Sequence, residues 1–258
     1  MAFTGTSAIC AIINREKILR TTMDKYHQEI LKKIKTGAKI NSSRQSHNPQ
    51  NYEGHNDFIY HLNNPSMREI AKKWVKKHTG LSLKKLISLL NSLYQGKSSS
   101  EKFIASMLLG YLPKLRKQIP LQLIDEWLNN LHGWCQVDSL CQSNFSADDL
   151  LLNWPQWKNL LIKLSKDDNI NKRRASLVLL VKPVRNSQDS RFIKIAFQNI
   201  DKLKTENNIL ITKAISWLLR EMIKKHRDLV KEYLEKNLDK LPKVAIRETK
   251  NKLLTGRK

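Results

Sequence analysis

Eight glycines and seven prolines in 258 residues leave few of the positive-φ and fixed-φ positions that tight hairpins need, which argues against a sheet protein. Cysteine is equally scarce. Cys10, Cys135 and Cys141 make an odd number with no C-x-x-C pair, which argues against a disulfide framework and a zinc site and indicates a reducing compartment. The seven histidines include no H-E-x-x-H and no cluster with acidic residues at ligand spacing, so no bound metal is expected. No apolar run is long enough to span a bilayer and no lipidation signal is present, so no membrane partner is expected. The lack of G-x-G-x-x-G, a Walker loop and G-x-S-x-G removes nucleotide-driven and serine-hydrolase chemistry, and no cofactor is expected.

Negative charge is also in short supply. Forty-seven Lys and Arg against 23 Asp and Glu give a net charge of +24, a surplus that repels itself unless a polyanion lies nearby. Nucleic acid is the leading partner, because phosphate neutralisation is what such a surface does well. Lys-rich composition also follows from a genome poor in G and C, so the charge counts for less than its size.

What the chain has in abundance is apolar residues at three- and four-residue steps, the mark of an all-helical protein. "SLKKLISLLNSLY" from Ser82 sets Leu83, Leu86, Ile87, Leu90, Leu93 and Tyr94 on one stripe and predicts a helix ending at Gly96. "SSSEKFIASMLLGYL" opens on serine caps with an early Glu101 and stops before Pro113. Further helices are predicted from about Leu121, Trp134, Pro155, Arg173, Phe192, Ile211 and Leu229. "ASMLL" at Ala105, "ASLVLL" at Ala175 and "ISWLLR" at Ile215 echo one another. The last two lie 40 positions apart, the spacing of HEAT-like repeats, and the first two 70 apart, room for two shorter units. Ordinary core packing accounts for such triplets about as well.

Three stretches are distinguished. Residues 1–55 hold an N-terminal segment, a helix and a polar linker; 56–254 form the helical-repeat domain; 255–258 form a disordered tail. Within the first, residues 1–22 fit either a targeting segment or a prelude to a chain that naturally opens at Met23. Thr36 to His55, rich in Asn, Ser, Gln and His, is the linker.

"GWCQVDSLC" at Gly133–Cys141 puts one carboxylate, Asp138, a helical turn after Trp134 in a window without Lys or Arg. On a helix the two share a face. A tryptophan on a helix is usually core, and an Asp usually caps a helix or pairs with a cation; the local pattern alone favours that structural account.

Four segments in order change the balance, because together they resemble the DNA alkylation repair family of helical-repeat DNA glycosylases, the AlkC and AlkD type. "EWLNNLHGWCQVDSLC" from Glu126 is similar to the family's W-x-x-x-D segment, and "INKRRASLVLLV" from Ile170 to its R-R-x-A helix. "ITKAISWLLREMIKKHRDLVKEYLEKNLDKLPKVAIRETKNKL" from Ile211 is similar to its "KAIGWALRE" helix and following "REA" helix, and "YHLNNPSMREIAKKW" from Tyr60 to its G-I-x-x-P-x-x-R segment. The resemblance covers Asp57 to Leu254.

It implies an all-α stack of antiparallel helix pairs, a HEAT-like superhelix with a concave basic groove. It implies a metal-independent hydrolase of N-glycosyl bonds, releasing cationic purines such as N3-methyladenine and N7-methylguanine from duplex DNA in base excision repair. Asp138 matches the catalytic carboxylate, Trp134 and Trp217 the two cleft tryptophans, and Arg173 or Arg174 the groove arginine, with spacing unable to choose between them. Lys213 and Arg220, flanking Trp217, are candidate phosphate contacts. Two departures stand out: Asn171 replaces an aromatic before the paired arginines, weakening one wall of the groove, and Ser216 replaces the glycine before the second tryptophan. Double-stranded DNA with alkylated bases is the implied partner of a monomer in the cytoplasm, nucleoid-associated if bacterial, with no obligate protein partner. The main alternative is a non-catalytic DNA-binding member of the same fold that recognises DNA structure. A protein or RNA scaffold is a distant third.

Overall fold

The computed structural model describes residues 23–40 and 57–257, and within them thirteen helices and one isolated bridge, Phe58 with Ser98. The segment 1–22 and most of the linker lie outside the described residues. The helices are α1 (Lys25–Ile40), α2 (Asn64–Lys77), α3 (Leu83–Tyr94), α4 (Ser99–Tyr111), α5 (Pro113–Arg116), α6 (Leu121–Leu128), α7 (Gly133–Asn144), α8 (Ala147–Leu151), α9 (Trp154–Leu164), α10 (Ile170–Asn186), α11 (Ser190–Leu203), α12 (Ile209–Lys236) and α13 (Lys243–Thr255).

Local chemistry sets these boundaries. Ser82 caps α3 through the Lys85 amide, and Ser98 and Glu101 form a reciprocal capping box at α4. Ser146 and Asp149 do the same at α8, and Pro65, Pro113 and Pro155 stand in first turns, where a missing N–H costs nothing. One boundary differs from the sequence expectation, and one expected break proves to be a kink. Thr36–Ile40, read as linker, is the last turn of α1, where Gly37 lets Leu62 approach: a Cβ there would sit 3.1 Å from Leu62 Cδ2. The helix expected from Leu229 is the second half of α12, which bends at His226 (φ −139°, ψ 43°), and the His226 ring reaches the Ser187 carbonyl at 3.2 Å.

One row of helices, α2, α4, α7, α10, α12 and α13, packs each member on the next; α3, α6, α9 and α11 lie behind it. Loops of four or five residues join α3 to α4, α9 to α10 and α11 to α12, which makes those pairs antiparallel neighbours. α10 sits mid-row and is buried on every side from Arg174 to Val181, which is why "RRASLVLLV" shows little amphipathic period. The three echoing segments fall on α4, α10 and α12. Their alanine or isoleucine and the following Ser106, Ser176 and Ser216 are all buried. Helix α1 belongs to the same core, with Ile30 and Ile34 fully buried and His27 held between Ser92 and Glu101 at 2.7 Å each.

Candidate functional site

Helix α7 has two faces. Gly133, Gln136, Val137, Leu140, Cys141 and Asn144 are buried at helical spacing, and Trp134 and Asp138, one turn apart, share the half-buried flank beside them. The helix starts at a left-handed residue, Gly133 (φ +69°), whose N–H donates to Asn171 Oδ1 at 3.1 Å. Asn171, standing where the resembled family has an aromatic, thus ties the start of α7 to the start of α10. Gly133→Ala is predicted to cost about 1–2 kcal/mol, because only glycine adopts this φ without a Cβ clash, and a fall in melting temperature checks it.

Asp138 meets a cation, but one from a different helix. Arg174 on α10 donates through Nε to Oδ1 at 2.9 Å and through Nη2 to Oδ2 at 2.8 Å, a two-pronged clamp. Its remaining Nη1 donates to the Leu210 carbonyl at 2.5 Å, so one guanidinium joins α7, α10 and α12. The pair is well shielded, with side-chain exposures of 16% for Asp138 and 6% for Arg174. Burial pushes the Asp138 carboxyl above the ordinary aspartate range; the hydrogen bonds and charge of Arg174 work against that rise.

The paired arginines part in geometry. Arg173 turns the other way, donating to both carboxylate oxygens of Glu206 at 2.8 and 3.1 Å and to the carbonyls of Asp167 and Asp168 at 2.8 Å. Arg174 alone reaches Asp138.

Trp217 lies half-buried on α12, two turns beyond Leu210, with exposed Lys213 between them on the same face. Ser216 is fully buried and donates to Glu248 Oε2 on α13 at 2.6 Å, so the hydroxyl that replaces the resembled family's glycine fastens α12 to α13. Arg220 Nε lies 3.3 Å from the same Glu248 oxygen. Asp138, Arg174 and the start of α12 are therefore physically joined; Trp134 lies one turn before Asp138 on α7, and Trp217 two turns beyond Leu210 on α12.

Several members of this arrangement had no local sequence signal: the Leu210 carbonyl, the Asn171 amide and Glu248. Each acts across helices, from about one repeat away. Among the described residues no group of three or more His, Cys, Asp and Glu could hold a metal ion, and no helix is long and apolar enough to cross a membrane.

A family model described as DNA alkylation repair enzyme matches residues 27–253, nearly the whole chain. The chain belongs to the DNA alkylation repair enzyme family. The match takes in α1 as well as the row of helices. A solved structure titled as a predicted DNA alkylation repair enzyme from Enterococcus faecalis is similar at a TM-score of 0.66 and 19% identity, covering 86% of this chain and 95% of that one. At that identity the likeness is one of fold, and it accords with the stacked all-α architecture. No curated protein matches this chain.

Proposed function

We propose that this member of the DNA alkylation repair enzyme family is a DNA glycosylase that hydrolyses the bond between deoxyribose and a cationic, N3- or N7-alkylated purine in duplex DNA. The observation that carries the reading is the clamped carboxylate: a shielded Asp138, one helical turn from half-buried Trp134 and held by two hydrogen bonds from Arg174, on a strongly basic protein.

The chemistry asks for little more. Alkylation at N3 or N7 makes the purine a cation, so it leaves without a general acid. The remaining tasks are to stabilise an oxocarbenium-like sugar and to aim a water at C1′, and one fixed carboxylate can do both, by charge and by accepting the water's proton. Arg174 occupies one lone pair on each Asp138 oxygen, and each oxygen retains another for water or for the developing cation. The clamp also fixes the plane of the carboxylate in advance. Trp134 and Trp217 offer π faces that favour a cationic sugar or base, each contact worth about 0.5–2 kcal/mol.

Phosphates are held by the basic surface. Lys213 is exposed and beside Trp217, and Arg220 stands one turn further on. Lys213→Ala is predicted to weaken duplex binding equally for all sequences and to reduce the slope of log affinity against log salt by about 1, read by anisotropy titrations across salt concentrations. Arg220→Ala should weaken binding less, because Glu248 already neutralises part of its charge.

A second reading, a non-catalytic DNA binder, draws on the same clamp, since a shielded Asp–Arg pair also serves to lock three helices together. Incubation with methylated duplex separates the two. Free N3-methyladenine or N7-methylguanine in the supernatant supports the glycosylase; saturable duplex binding with no base released supports the binder.

A further inference from the structure

Phe58 is 60% exposed, yet it is not on a loose loop. Its carbonyl accepts from the Ser99 amide at 2.9 Å, forming the bridge with the start of α4, and the Tyr60 amide donates to Ser100 Oγ at 3.2 Å. On its other side, Asp57 accepts from Lys102 Nζ, from Gln136 Nε2 at 3.0 Å and from His132 Nδ1 at 3.1 Å. Those hydrogen bonds overcome the effect of burial and hold the Asp57 carboxyl down at about 2, so the anchor stays charged well into acid. The Tyr60 ring meets Phe58 edge-on at 4.8 Å. The backbone on both sides of an exposed aromatic ring is therefore fixed.

The anchor also sets its place. His132 and Gln136 belong to the start of α7; His132 lies two residues before Trp134, and Gln136 two residues before Asp138. The strap carrying Phe58 thus crosses the first turn of the helix that bears the candidate site. Beside it stands the half-exposed imidazole of His132. A rigid, solvent-facing aromatic next to a site for DNA has the makings of a stacking surface, because every base offers a π face whatever its sequence.

We propose that Phe58 stacks on a nucleobase that has lost its pairing partner at the lesion, forming an outer platform beside the Trp134–Asp138 site. The proposal rests on the reading of the protein as one that binds damaged duplex DNA. The test uses the full chain and a duplex in which 5-iodouracil lies opposite a tetrahydrofuran abasic analogue. Affinity is measured for wild type, Phe58→Ala, Phe58→Leu and Phe58→Trp, and the photo-crosslinked peptide is mapped by mass spectrometry. Stacking predicts about tenfold weaker binding for the Ala and Leu variants, wild-type affinity for Phe58→Trp, and an adduct on Phe58. Leu binding as well as Phe, failure of Trp to restore affinity, or an adduct confined to other peptides would overturn it. If wild type binds the duplex and Phe58→Ala binds equally, only the platform falls; if wild type fails to bind, the DNA-binding reading falls with it.

Discussion

Asp138→Asn is expected to lower the single-turnover rate of base release from methylated duplex by about a hundredfold or more, with duplex affinity unchanged or slightly raised. The substitution keeps the shape of the side chain and removes its charge. Asn can still accept from Arg174 through its amide oxygen, but it offers no negative field to an oxocarbenium-like sugar and no base for water. Affinity holds because one fewer negative group lies among cations that face phosphate. The price is stability, since the Arg174 guanidinium, 6% exposed, loses its counter-charge. The assay therefore belongs well below the melting temperature, with duplex binding as the check that the fold survives. Equal rates for Asp138→Asn and wild type would remove Asp138 from the chemistry.

Arg174→Met has the larger expected effect on the fold, and a distinct signature in activity. Removing one partner of a shielded, hydrogen-bonded pair costs about 3–5 kcal/mol, and here it also frees the Leu210 carbonyl, so the melting temperature should fall by roughly 10 °C. The pH dependence follows from direction alone. Burial already raises the Asp138 carboxyl and Arg174 opposes that rise, so its loss lifts the carboxyl further. Base release needs the ionised form, so the acidic limb of the rate profile moves to higher pH in Arg174→Met. Raising the pH should then recover much of the lost rate for this variant and none for Asp138→Asn. Stability runs the other way. A carboxyl whose folded-state value lies above its unfolded one binds its proton more tightly when folded. Its contribution to stability is therefore greatest in acid and declines as pH rises through the interval between the two values. That interval widens upward in Arg174→Met. An unshifted acidic limb in a folded Arg174→Met protein would show that the clamp does not act on the carboxylate.

The helices were legible because their signals are local. Ser82, Ser98 with Glu101, and Pro113 each act within one turn, and each marks an observed boundary. The helix expected from about Leu229 is there as well, as the segment that follows the non-helical backbone of His226, but the partner at that break, the Ser187 carbonyl, comes from a distant turn and leaves no local mark. The site divides along the same line. Trp134 and Asp138 were visible as a pair because four residues on a helix define one face. The clamp was not, since Asp138, Arg174 and Leu210 stand 36 positions apart in succession. The same interval separates Asn91 from Trp127 and Arg185 from Glu221, all directly bonded. That spacing is one repeat: equivalent turns of successive helices in the same layer lie side by side, and polar partners one repeat apart meet across them. A sequence read for residue pairs at this interval would have offered Arg174 rather than Arg173 as the partner of Asp138.

The measurement that tests the central claim most directly follows from the charge of the leaving group. Two duplexes identical but for one base are incubated with wild type, one carrying N7-methylguanine and the other hypoxanthine, and free base is quantified by mass spectrometry. With a single fixed carboxylate and no general acid, the account predicts release of the cationic base and none of the neutral one. Equal release of both would contradict it, as would tight binding of the methylated duplex with no base set free.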